Sequence, residues 1–140
     1  MPQQKNLVHI IEIPVRWYDM DAFGHVNNSV FFTYFEQARI SWWHSIVPAD
    51  ISFQDTGPVI INAHCTFQKA IIYPEAVSVK LFVGSPGRSS YESFYEICSQ
   101  KNNAILYAEG STKVVWVDRK LERSIPLPDY IRKHLPMGSP

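Results

Sequence analysis

The feature that most constrains the fold is a single helical stretch, residues 28–46, in a chain whose other patterned segments resemble strands. Apolar side chains recur in it at the three- and four-residue spacing of one helix face. These residues are Phe31, Phe35, Ala38, Trp42 and Ile46. More large apolar residues widen that face: Phe32, Tyr34, Ile40 and Trp43. We therefore expect one helix that is buried on most of its circumference, capped by Asn27 or Asn28 and ended by Pro48.

The remaining patterned segments are rich in β-branched and aromatic residues, or alternate between apolar and polar residues, and so predict strands. They are residues 7–18, 59–72, 76–84, 88–99 and 104–118. Pro14 should place the first strand at a sheet edge or a bulge, and Gly110 should mark a bulge or bend in the last one. Short turns join consecutive strands, which are therefore antiparallel. The predicted fold class is α+β, with one long helix on a single antiparallel sheet of about five strands.

Composition narrows the functional classes. The 140 residues suit one domain, and 46% apolar with 19% charged residues can form a core. Thirteen basic residues balance thirteen acidic ones. This balance argues against nucleic-acid binding, and it leaves no net repulsion to oppose self-association. Neither a secretory signal nor an apolar run long enough for a membrane span is present in the sequence.

The two cysteines, Cys65 and Cys98, are too few for a disulfide framework and lack the spacing of a zinc site. We expect reduced, buried thiols in a cytoplasmic protein. The histidines are scattered along the chain, and a calcium loop would need oxygen ligands that are missing after Asp21. The sequence therefore predicts no metal site.

Polar residues with catalytic potential are concentrated just before the predicted helix. They are Asp19, Asp21, Gly24, His25, Asn27 and Asn28. A helix start offers unpaired N–H groups and a partial positive charge, which stabilise an oxyanion. A carboxylate beside it could attack a carbonyl or activate water. On chemistry alone, the favoured interpretation is that the two aspartates only cap a turn, because this arrangement before a helix is common.

The order of these residues resembles a family signature. Residues 15–28, VRWYDMDAFGHVNN, together with Phe31, Phe32 and the run 35–39, closely resemble the signature of hotdog-fold acyl-CoA thioesterases. The 4-hydroxybenzoyl-CoA thioesterase-like group is the most similar. The resemblance continues more weakly through 58–75 and 87–90, and covers about residues 8–118. It implies a single hotdog domain over 1–140, with 119–140 as a C-terminal appendage, in homodimers that join sheets edge to edge or in homotetramers.

The resemblance also implies roles for individual residues. Asp21 would be the catalytic carboxylate, as nucleophile or general base, and the backbone N–H of Asn28 would bind the thioester oxygen. The remaining loop residues would shape the loop: Asp19, Gly24, His25 and Asn27. Arg88, with Ser89, matches a turn that contacts coenzyme A phosphates in relatives, although a solvated turn arginine is an equal alternative.

Two residues are ambiguous within the resemblance. Glu36 would either line the acyl pocket or simply pair with Arg39 along the helix. Ala70 stands where the family commonly has proline, which leaves the role of Lys69 as a nucleotide contact open.

The function implied is hydrolysis of an acyl-CoA, or of an acyl carrier protein thioester, without metal or organic cofactor. Two alternatives stay open at this point. One is a hotdog dehydratase acting on hydroxyacyl thioesters, and the other is a non-catalytic protein that binds acyl thioesters. The acyl group itself is not specified by the sequence.

Overall fold

The structure, a computed structural model, describes residues 4–137. Two α-helices are present in this part of the chain: α1, Asn28–Ile46, and the short α2, Asp129–Arg132. The strands are β1 Lys5–Pro14, β2 Thr56–Phe67, β3 Ala76–Gly84, β4 Ser90–Ser99, β5 Leu106–Asp118 and β6 Arg123–Ser124. Neither described helix combines the length and apolar character that crossing a bilayer requires.

The strands form one antiparallel sheet in the order β1-β3-β4-β5-β2, and β6 pairs with the end of β5. The predicted fold class is confirmed. β1 is an edge strand, as Pro14 indicated, and Pro14 is its last paired residue. One connection differs from the expectation, because β2 pairs with β5 and not with β3. Residues 68–75 therefore form a crossover between distant strands instead of joining two neighbours.

One face of the sheet packs against α1. Alternate residues of β3 and β4 are fully or almost fully buried there: Val77, Val79, Leu81, Val83, Tyr91, Ser93, Tyr95 and Ile97. The helix contributes its own buried side: Phe31, Tyr34, Phe35, Ala38, Trp42 and Trp43. The opposite side of α1 exposes Thr33, Gln37 and His44 to differing degrees, and 39% of Ile40 is accessible. Burial on most of the circumference was therefore the wrong expectation for a single chain.

Two predicted strands end earlier than expected because side chains and carbonyls redirect the backbone. The Asp19 carboxylate accepts a hydrogen bond from the Arg16 N–H, and residues Trp17–Asp19 form a 3₁₀ turn instead of extending β1. The N–H groups of Gln68 and Lys69 both donate to the carbonyl of Tyr107, which ends β2 at Phe67.

Of the bulge or bend predicted at Gly110, the bulge is wrong. Gly110 pairs in regular register with Cys65 on one side and Tyr95 on the other. A Cβ atom at this position would overlap the ring of Phe35, so close packing explains the glycine. The register of β5 against β4 shifts elsewhere: Ile97 pairs with Ala108 and Cys98 with Leu106, which leaves Tyr107 as the extra residue.

The segment predicted as a C-terminal appendage packs into the core. Leu127, Ile131 and Leu135 are buried with the residues of α1 and the sheet. The Arg132 guanidinium donates to the carbonyls of Gly87 and Arg88, at 2.7 and 2.9 Å. The last three residues of the predicted appendage lie outside the described residues.

Candidate active site

The loop before α1 is closed by its own backbone. The Asp21 N–H donates to the His25 carbonyl, and the Gly24 N–H donates to the Asp21 carbonyl, both at 3.0 Å. Gly24 has a φ of +81°, in the left-handed region that glycine adopts without steric cost. Met20 and Val26 form an isolated bridge across the loop. Asp21 is thereby held close to the start of the helix.

Asp19 is buried and its carboxylate is saturated with donors. Its Oδ2 accepts from the Arg16 N–H at 3.0 Å and from the Tyr34 hydroxyl at 2.9 Å. Its Oδ1 accepts from Arg16 Nε at 3.1 Å and pairs with Arg16 Nη2 at 3.0 Å. Burial alone would raise the pKa of Asp19, but these hydrogen bonds outweigh it and hold the pKa below its ordinary value. The carboxylate links the end of β1 to α1 and has no oxygen lone pair left for chemistry.

Asp21, two residues further on, is half-buried and only partly engaged. Its Oδ1 accepts from the Phe23 N–H at 2.9 Å, and its Oδ2 accepts from Asn27 Nδ2 at 3.3 Å. A carboxylate has about four acceptor sites, so each oxygen keeps one for a further partner. Asp21 is therefore oriented from two sides and keeps acceptor sites for further donors.

The Asn27 side chain makes hydrogen bonds in two directions, one to α1 and one to Asp21. Its Oδ1 accepts from the Ser29 N–H at 2.9 Å, which makes it the N-cap of α1. Its amide nitrogen donates to Asp21. Of the two caps that the sequence allowed, the structure uses Asn27, and Asn28 is the first residue of the helix.

A cavity of about 230 Å³ opens at this helix start. It is lined by His25, Val26, Asn28, Phe31, Phe67, Gln68, Lys69 and Ala70. The rings of Phe31 and Phe67 meet edge to face at 5.0 Å and give it an apolar wall. The cavity thus combines an apolar surface with the first turn of a helix, where backbone N–H groups lack intrahelical acceptors.

The crossover after β2 forms the opposite wall of this cavity, and the Ile71 carbonyl accepts from the Val26 N–H at 2.9 Å. Sequence reasoning found Lys69 and Ala70 but missed Tyr107, whose carbonyl holds the crossover in place. Tyr107 falls within an ordinary strand pattern, and no motif in the sequence distinguishes it.

Arg88 and Ser89 do not lie near Asp21 in one chain. They belong to the turn between β3 and β4, whereas the Asp21 loop contacts the chain just before β3. β3 alone spans about 30 Å at roughly 3.3 Å per residue. Arg88 Nη1 donates to the Ser89 hydroxyl at 3.2 Å. Glu36 is largely exposed, forms an ion pair with Arg39 at 3.6 Å, and does not line the cavity.

No group of three or more potential metal ligands comes together within residues 4–137. Cys65 and Cys98 are free, and burial raises the pKa of the Cys65 thiol to about 11. A thiol with that pKa is mostly protonated at neutral pH, so Cys65 is a poor nucleophile.

The profile of the thioesterase-like superfamily matches residues 15–135, which include the whole loop, α1 and the cavity. The chain belongs to this superfamily. A solved protein of Pseudomonas aeruginosa, with the provisional name of thioesterase, is 38% identical, superposes with a TM-score of 0.86, and aligns over 91% of this chain and 98% of its own. The resemblance to hotdog-fold thioesterases is thus confirmed.

Two further relatives agree with this assignment. A thioesterase of Thermus thermophilus, solved with coenzyme A and zinc, is 29% identical, with a TM-score of 0.77 over 92% of this chain and 98% of its own. A curated protein of Aquifex aeolicus, provisionally named an esterase, is 30% identical over 80% of this chain and 87% of its own. The predicted class of enzyme, an acyl-CoA thioesterase, is confirmed at the level of the family.

Proposed function

We propose that the protein hydrolyses the thioester bond of an acyl-CoA, with Asp21 as the reacting carboxylate and the start of α1 as the oxyanion site. The contrast between the two aspartates carries this proposal. Asp19 uses both oxygens to hold the loop, whereas Asp21 keeps acceptor capacity. Asp21 is not itself a lining residue of the cavity, but it belongs to the loop whose His25 and Val26 are. A carboxylate that the protein engages fully has no acceptor site left for a substrate or water, so of the two aspartates Asp21 is the one that can react.

The chemistry follows from this placement. The thioester oxygen points to the backbone N–H of Asn28, which stabilises the negative charge of the tetrahedral intermediate. If Asp21 attacks the carbonyl carbon, the C–S bond breaks and coenzyme A leaves as the thiolate. Water then hydrolyses the mixed anhydride, which regenerates the Asp21 carboxylate, and a proton from that water converts the thiolate to the thiol. If Asp21 acts as a base, it takes a proton from water, whose oxygen attacks the same carbon. The C–S bond then breaks, and the proton held by Asp21 passes to the leaving thiolate. Both routes give a free acid and a thiol, and both place the acyl group against Phe31 and Phe67.

The position of Arg88 suggests that the complete site needs two copies. β2 has a free edge, and several of its residues are exposed: Ile61, Asn62, Ala63, His64 and Thr66. Antiparallel pairing of two β2 edges brings the Arg88 end of one chain to the Asp21 end of the other. We therefore infer a homodimer as the functional unit, in which Arg88 and Ser89 of one copy approach the nucleotide of a substrate bound at the other. A tetramer and the cytoplasmic location stay predictions.

The test is Asp21→Asn, measured by thiol release from a panel of acyl-CoAs. Loss of the charge should lower kcat by about 10²–10⁴-fold, while acyl-CoA binding and folding stay near normal. Thiol release by the wild-type protein also distinguishes hydrolysis from dehydration or simple binding, since neither of those frees a thiol.

Asp19→Asn is the matched control, because it makes the same chemical change two residues away. It should act through stability. The proposal fails if Asp21→Asn keeps more than about a tenth of the wild-type kcat, given the range expected for a lost base. It also fails if Asp19→Asn abolishes turnover in a fully folded protein.

A further inference from the structure

We infer that Tyr107 is a positioning residue for this site, because its side chain and its carbonyl together fix the crossover 68–75 that forms one wall of the cavity. The inference rests on the proposed thioesterase function. Tyr107 contacts neither Asp21 nor the cavity directly. It acts through the segment that it holds.

The first observation is the bulge. Tyr107 is the extra residue of β5, since Ala108 pairs with Ile97 and Leu106 with Cys98. Bulges redirect a side chain from the regular alternation of a strand and are frequent next to active sites. Here the redirected hydroxyl donates a hydrogen bond to Glu75 Oε2. The ring of Tyr107 is buried.

The second observation is that Tyr107 holds both ends of the crossover. Its carbonyl accepts from the N–H groups of Gln68 and Lys69, at 2.8 and 3.0 Å. Its hydroxyl binds Glu75, the last residue of the crossover. Residues 68–75 belong to no strand and have no ladder to support them. Tyr107 therefore makes hydrogen bonds to both ends of the crossover, where a neighbouring strand would otherwise provide them.

Glu75 extends the same network. Its carboxylate also accepts from the Ala76 N–H at 2.8 Å and from the Ser99 hydroxyl at 3.2 Å. Burial opposes its charge, but the hydrogen bond from Tyr107 and these two others hold the pKa of Glu75 below its ordinary value. Its backbone carbonyl accepts from the Val15 N–H at 2.8 Å, which ties the crossover to the end of β1.

The network reaches the catalytic loop through the middle of the crossover. Ile71 is fully buried, and its carbonyl accepts from the Val26 N–H, two residues before Asn28. A shift of the crossover would move the cavity wall and the helix start relative to each other. Misplacement by about 1 Å can cost about 10²-fold in rate, so support from Tyr107 should be visible in kcat.

The experiment compares Tyr107→Phe with Tyr95→Phe. Both variants keep the ring and remove one hydroxyl that makes a buried or partly buried hydrogen bond. The Tyr95 hydroxyl lies 2.8 Å from the Thr112 hydroxyl, away from the crossover. We expect similar losses of thermal stability. Tyr107→Phe should lower kcat about 10- to 100-fold with little change in KM, whereas Tyr95→Phe should keep kcat within about twofold. Glu75→Gln retains an acceptor for the Tyr107 hydroxyl and should lose less activity than Tyr107→Phe.

Amide hydrogen exchange supplies a readout that does not depend on activity. In Tyr107→Phe, the N–H groups of Val15 and Val26, which donate to the carbonyls of Glu75 and Ile71, should exchange faster than in Tyr95→Phe. The N–H groups of Gln68 and Lys69 keep the backbone carbonyl of residue 107 as their acceptor in both variants. Equal exchange in the two variants, or equal losses of kcat, would overturn the inference. If the wild-type protein releases no thiol, the proposed function fails, and the exchange contrast still decides whether Tyr107 positions the crossover.

Discussion

The two ends of α1 lie in contrasting environments, one polar and one aromatic. At its start, a polar loop surrounds the helix with charged and amide groups, and Phe23 is 87% exposed. At its end, Trp42 and Trp43 are buried among aromatic rings. Trp43 meets Phe53 and Trp116 edge to face, at 5.9 and 6.2 Å between ring centroids. The indole N–H of Trp43 donates to the Tyr91 hydroxyl at 3.1 Å, so the one polar atom of that side chain is satisfied.

This difference separates stability from reactivity along one helix. Aromatic packing fixes the helix at the end that lies away from the proposed site, and edge-to-face contacts add to the free energy of burial. The other end can then keep Asp21 and helix N–H groups accessible without endangering the fold. Of the two acids in the loop, Asp19 is the one whose carboxylate is fully engaged in holding the structure together.

The largest effect should come from removing an aromatic anchor at the far end. Trp42→Ala should lower the free energy of unfolding by about 3–5 kcal/mol, the range for deleting a buried large aromatic side chain. Asp21→Asn, at the other end, should cost about 0.3–1 kcal/mol. Denaturant unfolding of both variants measures the difference.

Trp42→Phe serves as the control, since it keeps part of the buried ring and should lose clearly less stability than Trp42→Ala. The division between the two ends would be disproved if Asp21→Asn destabilised the protein as much as Trp42→Ala. It would also be disproved if Trp42→Ala left the unfolding free energy unchanged.

A smaller effect is expected at Asp19. Asp19→Asn should cost about 1.5–3 kcal/mol near neutral pH, the worth of hydrogen bonds to a charged group. The pKa of Asp19 is lowered in the folded state, so its stabilisation is complete above the unfolded pKa of about 3.9 and is lost as pH falls through the lower, folded pKa. The gap in stability between wild type and variant should therefore narrow below about pH 4.

Thermal unfolding at several pH values measures that gap. An unchanged gap at low pH would show that Asp19 does not stabilise the loop through its charge. Other carboxylates also affect the stability of the wild-type protein at low pH. The difference in stability between wild type and Asp19→Asn isolates the contribution of Asp19.

The sequence was most informative where local rules decide the structure. The alternation of Val77, Val79, Leu81 and Val83 predicted both the bounds of β3 and its buried face. The periodicity of residues 28–46 predicted α1 to the residue. These patterns follow from side-chain geometry within one element, so neighbours in sequence were sufficient.

The sequence was least informative where contacts join distant segments. The Tyr107 carbonyl ends β2, and the ring of Phe35 occupies the space beside Gly110, although each pair is far apart along the chain. No local pattern encodes such contacts. The same limit applied to the site: the resemblance named Asp21 and Arg88 together, but a single chain holds them at opposite ends of the sheet.

Arg88 gives the smallest expected effect. It is also the sharpest test of whether the Arg88 turn of one copy and the Asp21 loop of another form one site. Arg88 is exposed, and Arg132 fixes the backbone of its turn through the carbonyls of Gly87 and Arg88. If Arg88 of one copy meets a phosphate of coenzyme A bound at the other, Arg88→Ala should raise KM for acyl-CoA about tenfold, or about 1.4 kcal/mol. The same acyl group on pantetheine, which lacks the nucleotide, should be hydrolysed normally.

Arg123→Ala is the control, because it removes a cation from a neighbouring segment. It should change KM for neither acyl-CoA nor acyl-pantetheine. Equal losses on both substrates would show that Arg88 has a structural role. Full activity of a monomer would exclude a site to which two copies of the chain contribute.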